Sequence, residues 1–172
     1  AVRAEDARPA REDSEAGLAS GRWAADMTPS IAIERVWSDD HVVELEVTTS
    51  DGCSEFRVKV YAGHEKLKSL VADLDRFKLQ VHGGIYDMEF GEFGPEFANG
   101  AFQARLHFYP PGRGRLLITV RAESDWRPFI KTEVASRATL YLQSEPGLLD
   151  RFIGDLRGVG CGTEDKATLQ CV

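Results

Sequence analysis

No run of 18 apolar residues occurs anywhere in the 172-residue chain, so nothing in it reads as a membrane-spanning helix. Positive charge is also in deficit. There are 21 Lys and Arg against 28 Asp and Glu, a formal charge of −7. Binding to phosphate backbones needs a basic face, so the composition argues against a nucleic-acid partner. Cysteine is scarce and odd in number: Cys53, Cys161 and Cys171 fit no metal-ligand spacing, and CxxC is absent. His41, His64, His82 and His107 form neither HxxxH nor HExxH, so no metal is expected, and no other cofactor either. A reduced, cytoplasmic protein is the simplest reading, with a small loop closed by Cys161 and Cys171 as the alternative.

What is present suits a folded domain. The chain is 42% hydrophobic and 28% charged. A chain of this length buries roughly 70% of its unfolded surface, enough to fold without a metal or a disulfide. Residues 1–26 are the exception, with four Arg, six Asp and Glu, and only Val2, Leu18 and Trp23 as sizeable apolar side chains. That segment cannot offset the entropy of ordering it, so a disordered or weakly ordered acidic tail is expected. Met27 is the first methionine, and the strand pattern starts just after it. The tail is therefore either natural or an over-extended gene start. Residues 27–172 carry 17 basic and 22 acidic side chains, still −5.

The clearest local signal is a β-hairpin. Val43, Leu45 and Val47 alternate along 42–48, and Phe56, Val58 and Val60 along 55–61. Asp51-Gly52 between them favours a two-residue turn. That turn sets Val47 opposite Phe56, Leu45 opposite Val58 and Val43 opposite Val60. On the other face it sets Glu46 opposite Arg57 and Glu44 opposite Lys59, so one register satisfies both kinds of pair. A second hairpin joins 101–109 to 115–121 through Pro110–Gly114, with Phe102, Ala104, Leu106, Phe108, Leu116, Ile118 and Val120 on the inner side. Further strands are expected at 31–37, 85–90 and 136–142.

Two helices are predicted. Leu67, Leu70, Val71, Leu74 and Phe77 make one stripe over 65–80, ending before a glycine cap at His82-Gly83-Gly84. Ser144-Glu145-Pro146 starts a second helix, whose stripe is Leu148, Leu149, Phe152, Ile153 and Leu156 and which Gly158 stops. The expected fold is α+β: a mostly antiparallel sheet of about six to seven strands with two helices on one face. It forms a single domain over residues 27–160. Residues 161–172 read as a C-terminal tail with at most a weak strand at 167–172. No internal repeat is visible.

Few motifs carry chemistry. Gly158–Gly162 follows a helix, whereas a phosphate-cradling loop needs a strand before it and a helix after it, so a helix cap is favoured. The main anomaly is IYDMEFGEFGPEFANG at 85–100, where Asp87, Glu89, Glu92 and Glu96 interleave with Phe90, Phe93 and Phe97. Rings framed by carboxylates suit capture of a basic protein, the rings as anchor and the acids as steering charge. The plainer reading is that the three rings plug a sheet edge and the acids are solvated. Ser124–Phe129 is a loop with two aromatics that either covers an end of the sheet or adds a second piece of binding surface.

The order of a strand, the helix HEKLKSLVADLDRF, YDMEFGEF, a strand hairpin, ASRATLYL and the closing helix EPGLLDRFIGDL resembles uncharacterised small bacterial α+β proteins. More distantly, the same stretch, from about Cys53 to Gly158, is similar to the WapI-type immunity proteins that neutralise polymorphic toxins. The resemblance implies a cytoplasmic, acidic, non-catalytic protein and transfers no functional residue. A ratio of 15 Arg to 6 Lys fits a GC-rich bacterial source.

The expectation is thus a non-catalytic protein-binding module, immunity-like, with no catalytic residue. Its basic partner would meet Asp87, Glu89, Phe90, Glu92, Phe93, Glu96 and Phe97. The alternative is a small-ligand binder or enzyme. Its cleft would lie between sheet and helices, or on the open sheet face near Arg105, His107, Tyr109 and Arg121. A homo-oligomer built through an unpaired edge strand is the third option.

Overall fold

Alternating apolar residues make three strands in succession: β1 (Ser30–Ser38), β2 (Val42–Ser50) and β3 (Glu55–Gly63). The computed structural model describes residues 28–97, 99–110 and 114–172, so the expected acidic tail lies outside the described residues. Helix α1 (His64–Phe77) follows β3 with no loop between them, and β4 (Ile85–Phe90) follows α1. The next strands are β5 (Ala101–Tyr109) and β6 (Arg115–Glu123). A short ribbon comes after them, β7 (Arg127–Phe129) and β8 (Thr132–Val134), then β9 (Arg137–Ser144), α2 (Pro146–Cys161) and β10 (Lys166–Gln170).

The fold is α+β with antiparallel strand pairing. Ten strands are described rather than six or seven, in two four-stranded sheets and a ribbon rather than one layer. With the ribbon set aside, the chain writes β-β-β-α-β twice. Each half lends its last strand to the other: β4 pairs with β5, and β10 pairs with β1. The sheet orders are therefore β10-β1-β2-β3 and β4-β5-β6-β9. The repeat is one of topology; the residues do not show it.

One hydrophobic cluster joins both sheets and both helices. The stripes do as predicted: α1 buries Leu67, Leu70, Val71, Leu74 and Phe77, and α2 buries Leu149, Phe152, Ile153 and Leu156 and adds Val159. Leu148 is only partly buried against the cluster. Lys78 ties the helices together, with its ammonium 2.6 Å from Asp150 and 3.0 Å from Asp75.

Three local expectations need correction. The β2–β3 register is displaced by two residues: Val47 faces Val58, Leu45 faces Val60 and Glu46 faces Lys59. The turn has four residues, because the Asp51 carboxylate accepts hydrogen bonds from the Cys53 and Ser54 amides at 2.9 and 2.6 Å. A shift of two keeps every side chain on its face. The ion pairs survive as diagonals, Lys59 to Glu44 at 3.2 Å and Arg57 to Glu46 at 3.6 Å.

Helix α1 ends at Phe77 with Lys78 in right-handed conformation, so no glycine caps it; Gly83, at φ +132°, belongs to the following turn. Helix α2 does not stop at Gly158. It runs to Cys161 and is capped by Gly162 at φ +80°, with the Thr163 amide donating to the Gly158 carbonyl and the Gly162 amide to Val159. That is the paired closure of a Schellman motif, which needs a left-handed residue after the last turn. Gly162→Ala is expected to lower stability by about 1–2 kcal/mol, measured by thermal or urea unfolding.

The third correction concerns 161–172. Strand β10 buries Ala167 and Leu169, and Cys171 beyond it is also buried. The segment completes the first sheet rather than trailing from it. All three cysteines are free, and burial pushes the Cys171 thiol up to about 12.

Candidate functional site

Strand β4 alternates, so Asp87 and Glu89 share its outer face while Met88 and Phe90 point into the core. Register places Arg105 opposite Asp87 and Gln103 opposite Glu89. The Arg105 guanidinium donates two hydrogen bonds to Asp87, both 2.8 Å, and holds its carboxyl below the usual range. Glu89 accepts from the Gln103 amide at 2.6 Å. Phe90 is fully buried, with its ring 6.3 Å from that of Phe102. Two of the four predicted acids are thus engaged by the chain itself, and one predicted ring is core. Phe90 follows the plainer reading.

The remaining candidates lie on the β4–β5 connection. Phe90 pairs directly with Phe102, so a short turn would close this hairpin, yet residues 91–100 intervene. The neck of the loop is tight. Gly91 has φ +68°, and a Cβ on it would sit 2.2 Å from the Gly100 carbonyl oxygen. Phe93 is half-buried under Arg121, whose guanidinium carbon is 5.1 Å from the ring centroid. Phe97 is half-buried, Glu92 and Glu96 are exposed, and the Glu96 carboxylate lies over Gly94.

One residue that the sequence reading passed over organises this region. Glu123, at the end of β6, is 2% exposed. Its carboxylate accepts from the Gly94 amide at 2.8 Å, the Trp126 indole at 2.9 Å and the Arg137 guanidinium at 2.6 Å. Burial works to raise its pKa, but these three donors together hold it below the ordinary value. A single carboxylate therefore joins the loop, the base of the ribbon and β9. Trp126 is three residues along the chain, but the Gly94 and Arg137 partners lie 29 and 14 residues away, and no pattern in the sequence links them to Glu123.

Trp126 stacks near Arg137, 5.6 Å from ring centroid to guanidinium carbon, and leads into the ribbon. The ribbon occupies 124–136, where the first half of the chain has only the four-residue turn at 51–54. All six of its strand residues are exposed. Its near side and Pro95 of the loop enclose an open cleft of about 660 Å³ lined by Trp126, Pro128, Ile130, Lys131, Thr132 and Glu133. The ribbon base also borders a second cleft, of about 430 Å³, against the outer face of β2 and β3. The ion pairs Glu44–Lys59, Glu46–Arg57 and Asp125–Arg127 line it.

The open face of the second sheet does not bring its four candidates together as free groups. Arg105 is committed to Asp87, Arg121 covers Phe93, and His107 packs edge-on to Tyr109 at 6.4 Å. A cleft of about 210 Å³ between α1 and β4 contains Tyr86 and Asp87. Neither changes charge near neutral pH: burial pushes the Tyr86 phenol up to about 12 and keeps it protonated, and the Arg105 hydrogen bonds pull Asp87 down and keep it ionised. Among the described residues no three His, Cys, Asp or Glu side chains gather as a metal site, and no helix is long and apolar enough to cross a membrane. Comparison with protein-family models, curated proteins and solved structures found no match.

Proposed function

We propose that this protein is a non-catalytic binding module that captures a basic protein partner with the loop at 91–97 and the ribbon at 127–134. One observation carries the reading. The two segments that the doubled β-β-β-α-β plan does not require are both tied to Glu123 and meet at a shallow, open cleft, to which the loop contributes Pro95. Extra chain in a compact domain is usually functional. Among the described residues no ion pair reaches Glu92, Glu96 or Glu133, so their charge is free to meet a partner. Asp87 and Glu89, engaged by Arg105 and Gln103, and Phe90, in the core, leave the proposed contact set.

The resemblance to WapI-type immunity proteins favours a toxin as the basic partner, and the free cysteines suit the bacterial cytoplasm. The test is a pull-down from the native source, with bound proteins identified by mass spectrometry. Wild type is expected to retain a basic protein that Glu92→Lys/Glu96→Lys with Phe93→Ala recovers at about one-tenth the yield or less. Equal recovery by both overturns the reading.

A further inference from the structure

Among the described residues, Ile130 alone has a positive φ without being glycine, at +58°. It is also 90% exposed, the highest value among the exposed large hydrophobic residues. Both properties work against stability. A β-branched side chain in the left-handed region crowds its own backbone, and an apolar side chain in water gains nothing from burial. Phe129 and Thr132 pair, leaving Ile130-Lys131 as a two-residue turn, and the first position of such a turn with positive φ is where glycine ordinarily sits. Isoleucine there is poor for folding, and strain of this kind collects at ligand clamps.

The location of Ile130 gives it a use. It lines the cleft shared with Pro95, Trp126 and Pro128, four apolar residues around one trough. Glu133 lines the same trough, and Glu96 follows Pro95 in the chain. In the lining itself Glu133 is balanced by Lys131; the surplus negative charge comes from the adjoining loop, where, among the described residues, no ion pair reaches the exposed Glu92 and Glu96. The trough, of about 660 Å³, is shallow and widely open to solvent, which suits a segment laid on the surface rather than an engulfed small molecule. The ribbon beside it has only two strands, so each strand has an edge that its neighbour leaves free for added backbone.

We infer that the cleft between Pro95 and the ribbon seats an extended segment of the partner, an apolar side chain flanked by Lys or Arg, with Ile130 as the anchor that grips the apolar side chain. The inference rests on the basic-partner reading and goes further by naming the occupant and the residue that holds it. The apolar side chain lies against Ile130, Pro128 and the face of Trp126, whose indole N–H is already given to Glu123. The flanking cations reach Glu133 and Glu96. Steering by the acids sets the association rate, and the grip of Ile130 sets the dissociation rate.

The test uses the full chain as bait for a phage-displayed library of random 12-residue peptides, with the best peptides resynthesised for fluorescence-anisotropy titration. The expected consensus is an aromatic or aliphatic residue with Lys or Arg beside it. Ile130→Gly suits the turn and is expected to leave the melting temperature unchanged or higher, while weakening peptide binding at least about tenfold. Peptides that bind Ile130→Gly as tightly as wild type, yet are lost to Glu92→Lys/Glu96→Lys, would overturn the anchor and leave the basic-partner reading standing. A library that yields no basic consensus would overturn both.

Discussion

Replacing Glu123 by alanine is expected to destabilise the protein by about 2–4 kcal/mol. The carboxylate is 2% exposed and satisfies three donors at once. Removing it leaves the half-buried Gly94 amide and Trp126 indole without their acceptor, at about 1–2 kcal/mol each, while the exposed Arg137 guanidinium returns to water. Urea unfolding measures the loss. Hydrogen exchange at residues 91–97 should quicken well beyond what the global change accounts for, because the Gly94 amide is the tether of the loop. Glu123→Gln keeps an acceptor and should cost about half as much. The carboxyl titrates lower in the folded than in the unfolded state. Its stabilisation is therefore complete above the unfolded carboxylate pKa of about 4.3 and is lost as pH falls from there through the folded value. Glu123→Gln should make the fall in stability across that acid window shallower, the other lowered carboxylates such as Asp75 and Asp87 still contributing, and leave the profile near neutrality unchanged in shape.

Gly91→Ala is expected to cost about 2–5 kcal/mol, also by urea unfolding. Two penalties add. The residue sits at φ +68°, where an alanine loses about 1–2 kcal/mol. The new methyl group would lie 2.2 Å from the Gly100 carbonyl oxygen and 3.2 Å from the Ala101 Cα, both backbone atoms that cannot swing aside. Overpacking of that kind typically costs another 1–3 kcal/mol. Gly94 is the control. It too has positive φ, but the atoms a methyl would meet belong to the flexible Glu96 side chain. Gly94→Ala should lose noticeably less. If the two variants are equally affected, the neck of the loop is not the close backbone contact described above.

The sheets and helices were legible because their signals are periodic and local. Val43, Leu45 and Val47 alternate; Leu67, Leu70, Val71, Leu74 and Phe77 recur at helical spacing; and each set is buried as its period demands. Register was less legible because a hydrogen-bonding side chain set it. Alternation allows any shift of two residues, and the Asp51 carboxylate chose the four-residue turn. The ribbon escaped notice because three-residue strands with every side chain in water have no buried period, and Pro128 argues against a strand. Four of the seven residues of the acidic-aromatic cluster could be placed from sequence. Glu92, Phe93, Glu96 and Phe97 do lie on a surplus loop. What Asp87 and Glu89 meet depends on a strand partner some 15 residues away, and the role of Glu123 depends on three separate segments converging. A pattern read along the chain has no access to either.

The exchange of closing strands has a consequence for how the molecule comes apart. Strand β4 belongs to the first half by sequence and to the second sheet by pairing, and β10 reverses that arrangement. A protease that severed the exposed stretch near Glu96 would release no independent fragment. Each product would still hold a rung of the other's ladder, and the two would stay clasped until both melted in one cooperative event.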